Sequence, residues 1–189
     1  MIARGVIPAA LWLAWLVYWA VAARDAKVTQ RRESAVSRAA FTAPTMLAVL
    51  LIAPGTLPGG FLCGRILPAN DAVYFSGVAM LALGLLFTVW ARVHLGRNWS
   101  GTVTLKQDHE LIRSGPYGLV RHPIYSGLLL AFIGSAVARG EWRGFIAVVI
   151  FFAAVWRKLR LEERWMGEMF GDAYRRYSEE VSALIPWLL

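Results

Sequence analysis

The chain has 189 residues, of which 58% are hydrophobic and only 17% charged, and its formal net charge is +8. Soluble domains are nearer half apolar and a quarter charged, so this composition excludes an ordinary soluble domain, and the length suits one domain. The positive charge does not point to nucleic acid, because no nucleic-acid motif accompanies it and the basic residues fall between apolar runs.

Charge-free runs occupy 6–23, 39–64 and 72–91. Roughly 20 apolar residues in a helix cross a hydrocarbon core of about 30 Å, so three spans follow. Pro44 and Pro54 interrupt the second, and a helix there is expected to kink or to end near Pro54, since proline lacks the backbone donor and clashes with the preceding turn. Two shorter runs, 123–138 and 144–156, are joined by Arg139-Gly140-Glu141-Trp142-Arg143 and read as a short hairpin. The last run reaches only about 20 Å at about 1.5 Å per residue. It either spans with Arg143, Arg157 and Lys158 snorkelling from its ends or is half inserted.

Sixteen of the 20 lysines and arginines lie in 23–38, 92–121 and the tail from 157, and four (Arg4, Arg65, Arg139, Arg143) lie between the other span ends. The positive-inside rule then puts the N-terminus outside and the C-terminal tail in the cytoplasm. Cleavage of 1–22 as a signal peptide would leave the basic segment after it outside, against that rule. The expected fold is all-α, an integral membrane protein of about five transmembrane helices with a cytoplasmic helical tail. Residues 1–91 supply N-terminal helices and 92–189 a polar loop, the hairpin and the tail, integrated as one domain. Within the tail, Gly171-Asp172 is expected to break the helix, Asp172 to cap a last one and Pro186 to end it. Cys63 is the one cysteine, and His94, His109 and His122 lack zinc spacing, so neither a disulfide nor a metal site is expected.

Polar residues concentrate at one end of the hairpin. The loop closes on Ser114-Gly115-Pro116-Tyr117-Gly118, which has strong turn chemistry. Arg121-His122-Pro123-Ile124-Tyr125 then leads into the fourth run, with Pro123 suited to the first helical turn. If the hairpin helices are antiparallel, Glu162 and Glu163 return to the same mouth as His109, Tyr117, Arg121, His122 and Tyr125. Two readings of this cluster stand: a ligand site, or tyrosines and arginines anchoring in the headgroup zone.

The stretch from His109-Glu110-Leu111-Ile112 through Gly115-Pro116-Tyr117 to Arg121-His122-Pro123-Ile124-Tyr125-Ser126-Gly127, followed by Glu162-Glu163, Met169-Phe170-Gly171, Tyr174 and Tyr177, resembles the signature of the isoprenylcysteine carboxyl methyltransferase and phospholipid methyltransferase superfamily. The resemblance covers about 92–186 and marks 92–189 as a methyltransferase core. It implies S-adenosylmethionine-dependent methyl transfer to a lipophilic acceptor at the cytoplasmic face. By the family pattern His109, Glu110, Leu111, Ile112, Tyr117, His122, Pro123, Ile124 and Tyr125 line the cofactor site, and Glu162, with Glu163 beside it, holds the cofactor's amino group. Family members acting on isoprenylcysteine carry an arginine one turn before that glutamate. Lys158 stands there in this chain, which lacks arginine's bidentate fork. Lys158 and Arg121 are the candidate acceptor contacts, and no side chain is assigned a chemical step beyond positioning. The alternative is an NADPH-dependent reductase resembling the steroid 5α-reductase group, which shares an Arg-His-Pro element. The acceptor and the oligomeric state are not legible in the sequence.

Overall fold

The computed structural model describes residues 4–25, 29–53, 55, 60–96, 104–106 and 111–188. Its helices are α1 (Val6–Ala22), α2 (Ala35–Ile52), α3 (Asp71–Leu95), α4 (Pro123–Arg139), α5 (Trp142–Phe170) and α6 (Asp172–Glu180). The expected helical fold is joined by one short antiparallel ribbon of β1 (Thr29–Arg32) and β2 (Thr104–Lys106), which the apolar pattern did not signal.

Local chemistry sets the helix ends. Ser34 caps α2 by accepting from the Ser37 N–H, and Asn70 does the same for α3 through Val73. The second helix contains Pro44 and stops at Ile52, with Ala53 extended as a residue before proline prefers to be. Gly140 closes α4 in the left-handed conformation at φ 70°, and α5 begins two residues later.

Two helices, α2 and α3, are long and apolar enough to cross a bilayer, while α1 and α4 have 17 residues each. Leu13, Leu16, Val17, Leu47, Leu50, Leu83 and Leu86 point outward, the inverse of a soluble protein's packing. This is the surface of an integral membrane protein. Helix α5 continues without a break for 29 residues, carries Glu162 and Glu163 beyond the apolar part, and ends at Gly171, where the break was expected.

Helices α3 and α4 pack through small residues. A Cβ on Gly84 would stand 2.5 Å from Ala131 N and Gly127 O, and one on Gly77 2.2 Å from Ala138 N. Glycines there let the two backbones touch. Between α4 and α5 the rings of Phe132 and Phe151 stack at 4.1 Å. Trp12 of α1 closes edge-on against Phe132 and donates to Ser135 Oγ at 3.1 Å.

The tail corrects two expectations. Helix α6 ends at Glu180, well before Pro186, and its cap position is Gly171, with Asp172 the first helical residue. Residues 181–184 turn back onto the start of α4, where the Arg121 and His122 N–H groups donate to Ser182 O and Ala183 O, and Ser126 Oγ donates to Leu184 O.

Candidate active site

Helix α3 runs to Leu95, further than the polar loop predicted from 92, and Arg92 is buried there, donating to Gly96 O at 2.6 Å and to Ala22 O. His94 at its end meets Ser114 Oγ at 2.9 Å and stacks near Tyr117. The turn Gly115–Gly118 lands on that histidine so closely that a Cβ on Gly115, which has φ 58°, would lie 2.8 Å from its ring. Tyr117 is thereby buried, and Tyr177 of α6 donates its hydroxyl to Tyr117 O at 2.5 Å. Burial pushes the Tyr117 phenol well above its usual range.

The antiparallel hairpin brings the two motif halves together as expected. His122 sits at the N-cap of α4 and Pro123 opens the helix. Arg121 donates twice to Glu163 Oε1, at 2.9 and 2.5 Å, and its remaining nitrogen donates to Ser178 O at 3.0 Å and to Val181 O. The imidazole nitrogens of His122 stand 3.5 Å from Glu162 Oε2 and 3.4 Å from Glu163 Oε1. Tyr125, one turn further in, donates to Glu162 Oε1 at 2.5 Å.

This arrangement polarises its members. Burial pulls the His122 pKa down, but the two carboxylates more than offset that and hold it above the ordinary imidazole range. Burial pushes Glu163 up, yet His122 and Arg121 outweigh it and bring it to about 2. His122 Nε2 is buried, and Glu163 Oε1 at 3.4 Å is the acceptor it faces.

An apolar groove of about 680 Å³ lies among α1, α2 and α4. On α4 it is lined by Leu128, Phe132 and Ser135, and Tyr125 precedes Leu128 by one turn on the same stripe. On α2 it is lined by Phe41, Thr45 and Val49. Lys158, only 6% exposed, places its ammonium 4.3 Å from the centre of the Phe41 ring.

Of the residues expected from sequence, Tyr117, His122, Pro123, Tyr125, Glu162 and Glu163 come together here, with Pro123 fully buried. Ile124, Leu111 and Ile112 are half-buried beside them in the chain. His109 and Glu110 lie outside the described residues. Arg121 has its donors engaged by Glu163, Ser178 O and Val181 O, which ties the acidic pair to the tail. Sequence reasoning missed Arg92, Glu33 and the return of residues 181–184, because each depends on which helices become neighbours.

Residues 72–173, more than half of the chain, match the family model described as phospholipid methyltransferase. The chain belongs to the phospholipid methyltransferase family. Fission yeast (Schizosaccharomyces pombe) protein-S-isoprenylcysteine O-methyltransferase is 31% identical over 117 residues, covering 59% of this chain and 48% of that one. Methanethiol S-methyltransferase 1 of Bradyrhizobium diazoefficiens is 44% identical over 71 residues, 38% of this chain and 24% of that one. The solved structure of a eukaryotic intramembrane Ras methyltransferase, an isoprenylcysteine carboxyl methyltransferase, matches 81% of this chain and half of its own with TM-score 0.55 at 21% identity, a likeness of fold. The chain spans about half the length of the isoprenylcysteine methyltransferases it matches. These relatives give no support to the reductase alternative.

Proposed function

We propose that this protein is an S-adenosylmethionine-dependent methyltransferase of lipophilic acceptors, with its chemistry in residues 92–189. The carrying observation is the acidic pair of α5 folded against the start of α4, where Tyr125 hydrogen-bonds Glu162 one helical turn before Leu128, a residue of the apolar groove.

The donor set suits the cofactor. S-adenosylmethionine would supply a methyl group already activated on a sulfonium. Glu162 offers a carboxylate to its amino group, with Tyr125 fixing that carboxylate's orientation. Tyr117, Pro123, Ile124, Leu111 and Ile112 would supply the surrounding wall. Arg121 and Glu163 hold the pair to the tail, so the site is assembled only when residues 178–184 are docked. What remains for the protein is alignment and exclusion of water, which an apolar groove beside a buried polar cluster provides.

The acceptor's apolar body lies in the groove, and Lys158 stands at its inner end on Phe41. Helices α1–α5 cross the membrane, with the N-terminus outside and the acidic pair at the cytoplasmic face, where a polar cofactor arrives from water.

Calorimetry with S-adenosylmethionine on the purified protein tests this reading. Wild type binds and NADPH does not. Glu162→Gln loses about 1.5–3 kcal/mol, roughly 10- to 150-fold in affinity. Unchanged affinity in Glu162→Gln, in Glu163→Gln and in the double variant would overturn the assignment. Mass spectrometry of lipid extracts incubated with methyl-labelled cofactor then identifies the acceptor.

A further inference from the structure

Glu33 precedes the cap of α2 and is only 9% exposed. One carboxylate oxygen, Oε2, accepts from Ser37 Oγ at 2.9 Å, while Oε1 is buried with no hydrogen-bond partner. A buried carboxylate oxygen left unpaired is costly, and native structures keep such groups where something else completes them.

The contact with Ser37 says where that carboxylate stands. On α2, Ser37, Phe41, Thr45 and Val49 recur every fourth position, and the last three line the groove. Ser37 continues that stripe one turn past the groove's apolar inner end, and Glu33, just ahead of the helix, is tied to it through Ser37 Oγ. The α5 wall arrives at the same place, because Lys158 lies on Phe41 and Glu162 follows it by one turn of α5. Tyr125 is bonded to Glu162. Among the described residues near Glu33, Lys158 lies on the Phe41 ring and Arg157 donates to Ser37 O at 3.2 Å.

From this juxtaposition we infer that Glu33 receives the reacting head of the acceptor, and that the head is a hydrogen-bond donor, a thiol or an amine rather than a carboxylate. The free oxygen accepts an N–H or S–H hydrogen bond and attracts a cationic head, whereas a carboxylate head would meet a like charge in a desolvated corner. The inference rests on the proposed methyltransferase reading for the word acceptor, but its binding test does not require the cofactor.

The test uses octylamine, octanethiol and octanoate as probes, titrated by calorimetry into the full chain in neutral detergent, in wild type and Glu33→Gln. Taking the ratio between the two proteins in identical micelles removes the partition of each probe. Glu33→Gln is expected to weaken octylamine about tenfold or more and octanethiol to a lesser degree, and to leave octanoate unchanged or tighter. S-adenosylmethionine affinity stays within about twofold in both proteins. If Glu33→Gln does not fold, wild type alone decides, since octylamine must bind more tightly than octanoate. Equal octylamine binding in the two proteins, or octanoate binding as tightly as octylamine in wild type, overturns the inference. Failure of S-adenosylmethionine to bind wild type, with the amine preference intact, would overturn the methyltransferase reading and leave the role of Glu33 standing.

Discussion

Glu163 and His122 make one buried electrostatic unit with Arg121, and their protonation couples the site to pH. Glu163 is held at about 2 where 4.5 is usual, so the stabilisation it contributes is present above about 4.5 and is lost as pH falls toward about 2. His122 is shifted the other way, and its contribution is full below about 6.5 and fades as pH rises through its raised value. Cofactor affinity and thermal stability should therefore be greatest from about 4.5 to 6.5. Glu163→Gln should flatten the acid limb and shrink the alkaline one, since Glu163 is one of the two carboxylates that raise His122, and an acid limb of full size in that variant would contradict the assignment. Lys158 carries a second expectation. Lys158→Ala should leave S-adenosylmethionine affinity within about twofold while reducing turnover only of acceptors that carry an anionic group away from the reacting head, because its ammonium lies on Phe41 at the inner end of the groove. A lysine that merely snorkels would show no dependence on acceptor charge. The motif residues were legible because Pro123 marks a helix start and a hairpin returns Glu162 to that start. Glu33 was not, since nothing local to it says that α2 packs on α5.

The seam between α3 and α4 is where element packing is least forgiving. A Cβ on Gly84 meets backbone atoms at 2.5 Å, and one on Gly134 meets Leu81 N at 2.3 Å. Backbone cannot swing aside as a side chain can, so the helices must separate. Gly84→Ala gains about 0.5–1 kcal/mol of helix preference but loses about 1–3 kcal/mol to overpacking. The net expectation is a lower melting temperature in detergent. Gly167→Ala, in α5 with nothing within 4 Å of the added carbon, should instead raise stability by about 0.5–1 kcal/mol. If both substitutions shift stability in the same direction, the close approach at Gly84 is not what those glycines serve. Charge-free length revealed the helices themselves, since hydropathy is a property of each segment. The seam was hidden, because a glycine in an apolar run looks the same whether it faces lipid or a neighbour. The length of α5 was legible past the apolar run, since Trp165, Met169 and Phe170 recur at helical spacing up to Gly171.

At the scale of the molecule, charge separates the two ends of the helix bundle. The end bearing the acidic pair also bears Arg113, Arg121, Arg157, Arg160 and Arg164, while the other carries Arg4, Arg65, Arg139 and Arg143. Three of those four close helix ends or turns. Arg139 donates to Ile52 O at 2.6 Å, Arg65 to Arg139 O at 2.8 Å, and Arg143 pairs with Glu141 at 2.6 Å. Arg4 is paired with Asp71 at 2.9 Å. The four thus meet helix C-terminal carbonyls or carboxylates, where cations are favoured without any contribution to lipid attraction. The expected orientation places the acidic pair and the tail in the cytoplasm. A reporter fused after Leu189 should be shielded from impermeant reagents in intact cells, and a tag inserted beside Gly140 should be labelled from outside. Adding two arginines beside Gly140 should leave the topology unchanged, because the first three spans already agree with the rule. A C-terminal reporter labelled from outside would invert the molecule, and would place the acidic pair on the side away from cytoplasmic S-adenosylmethionine.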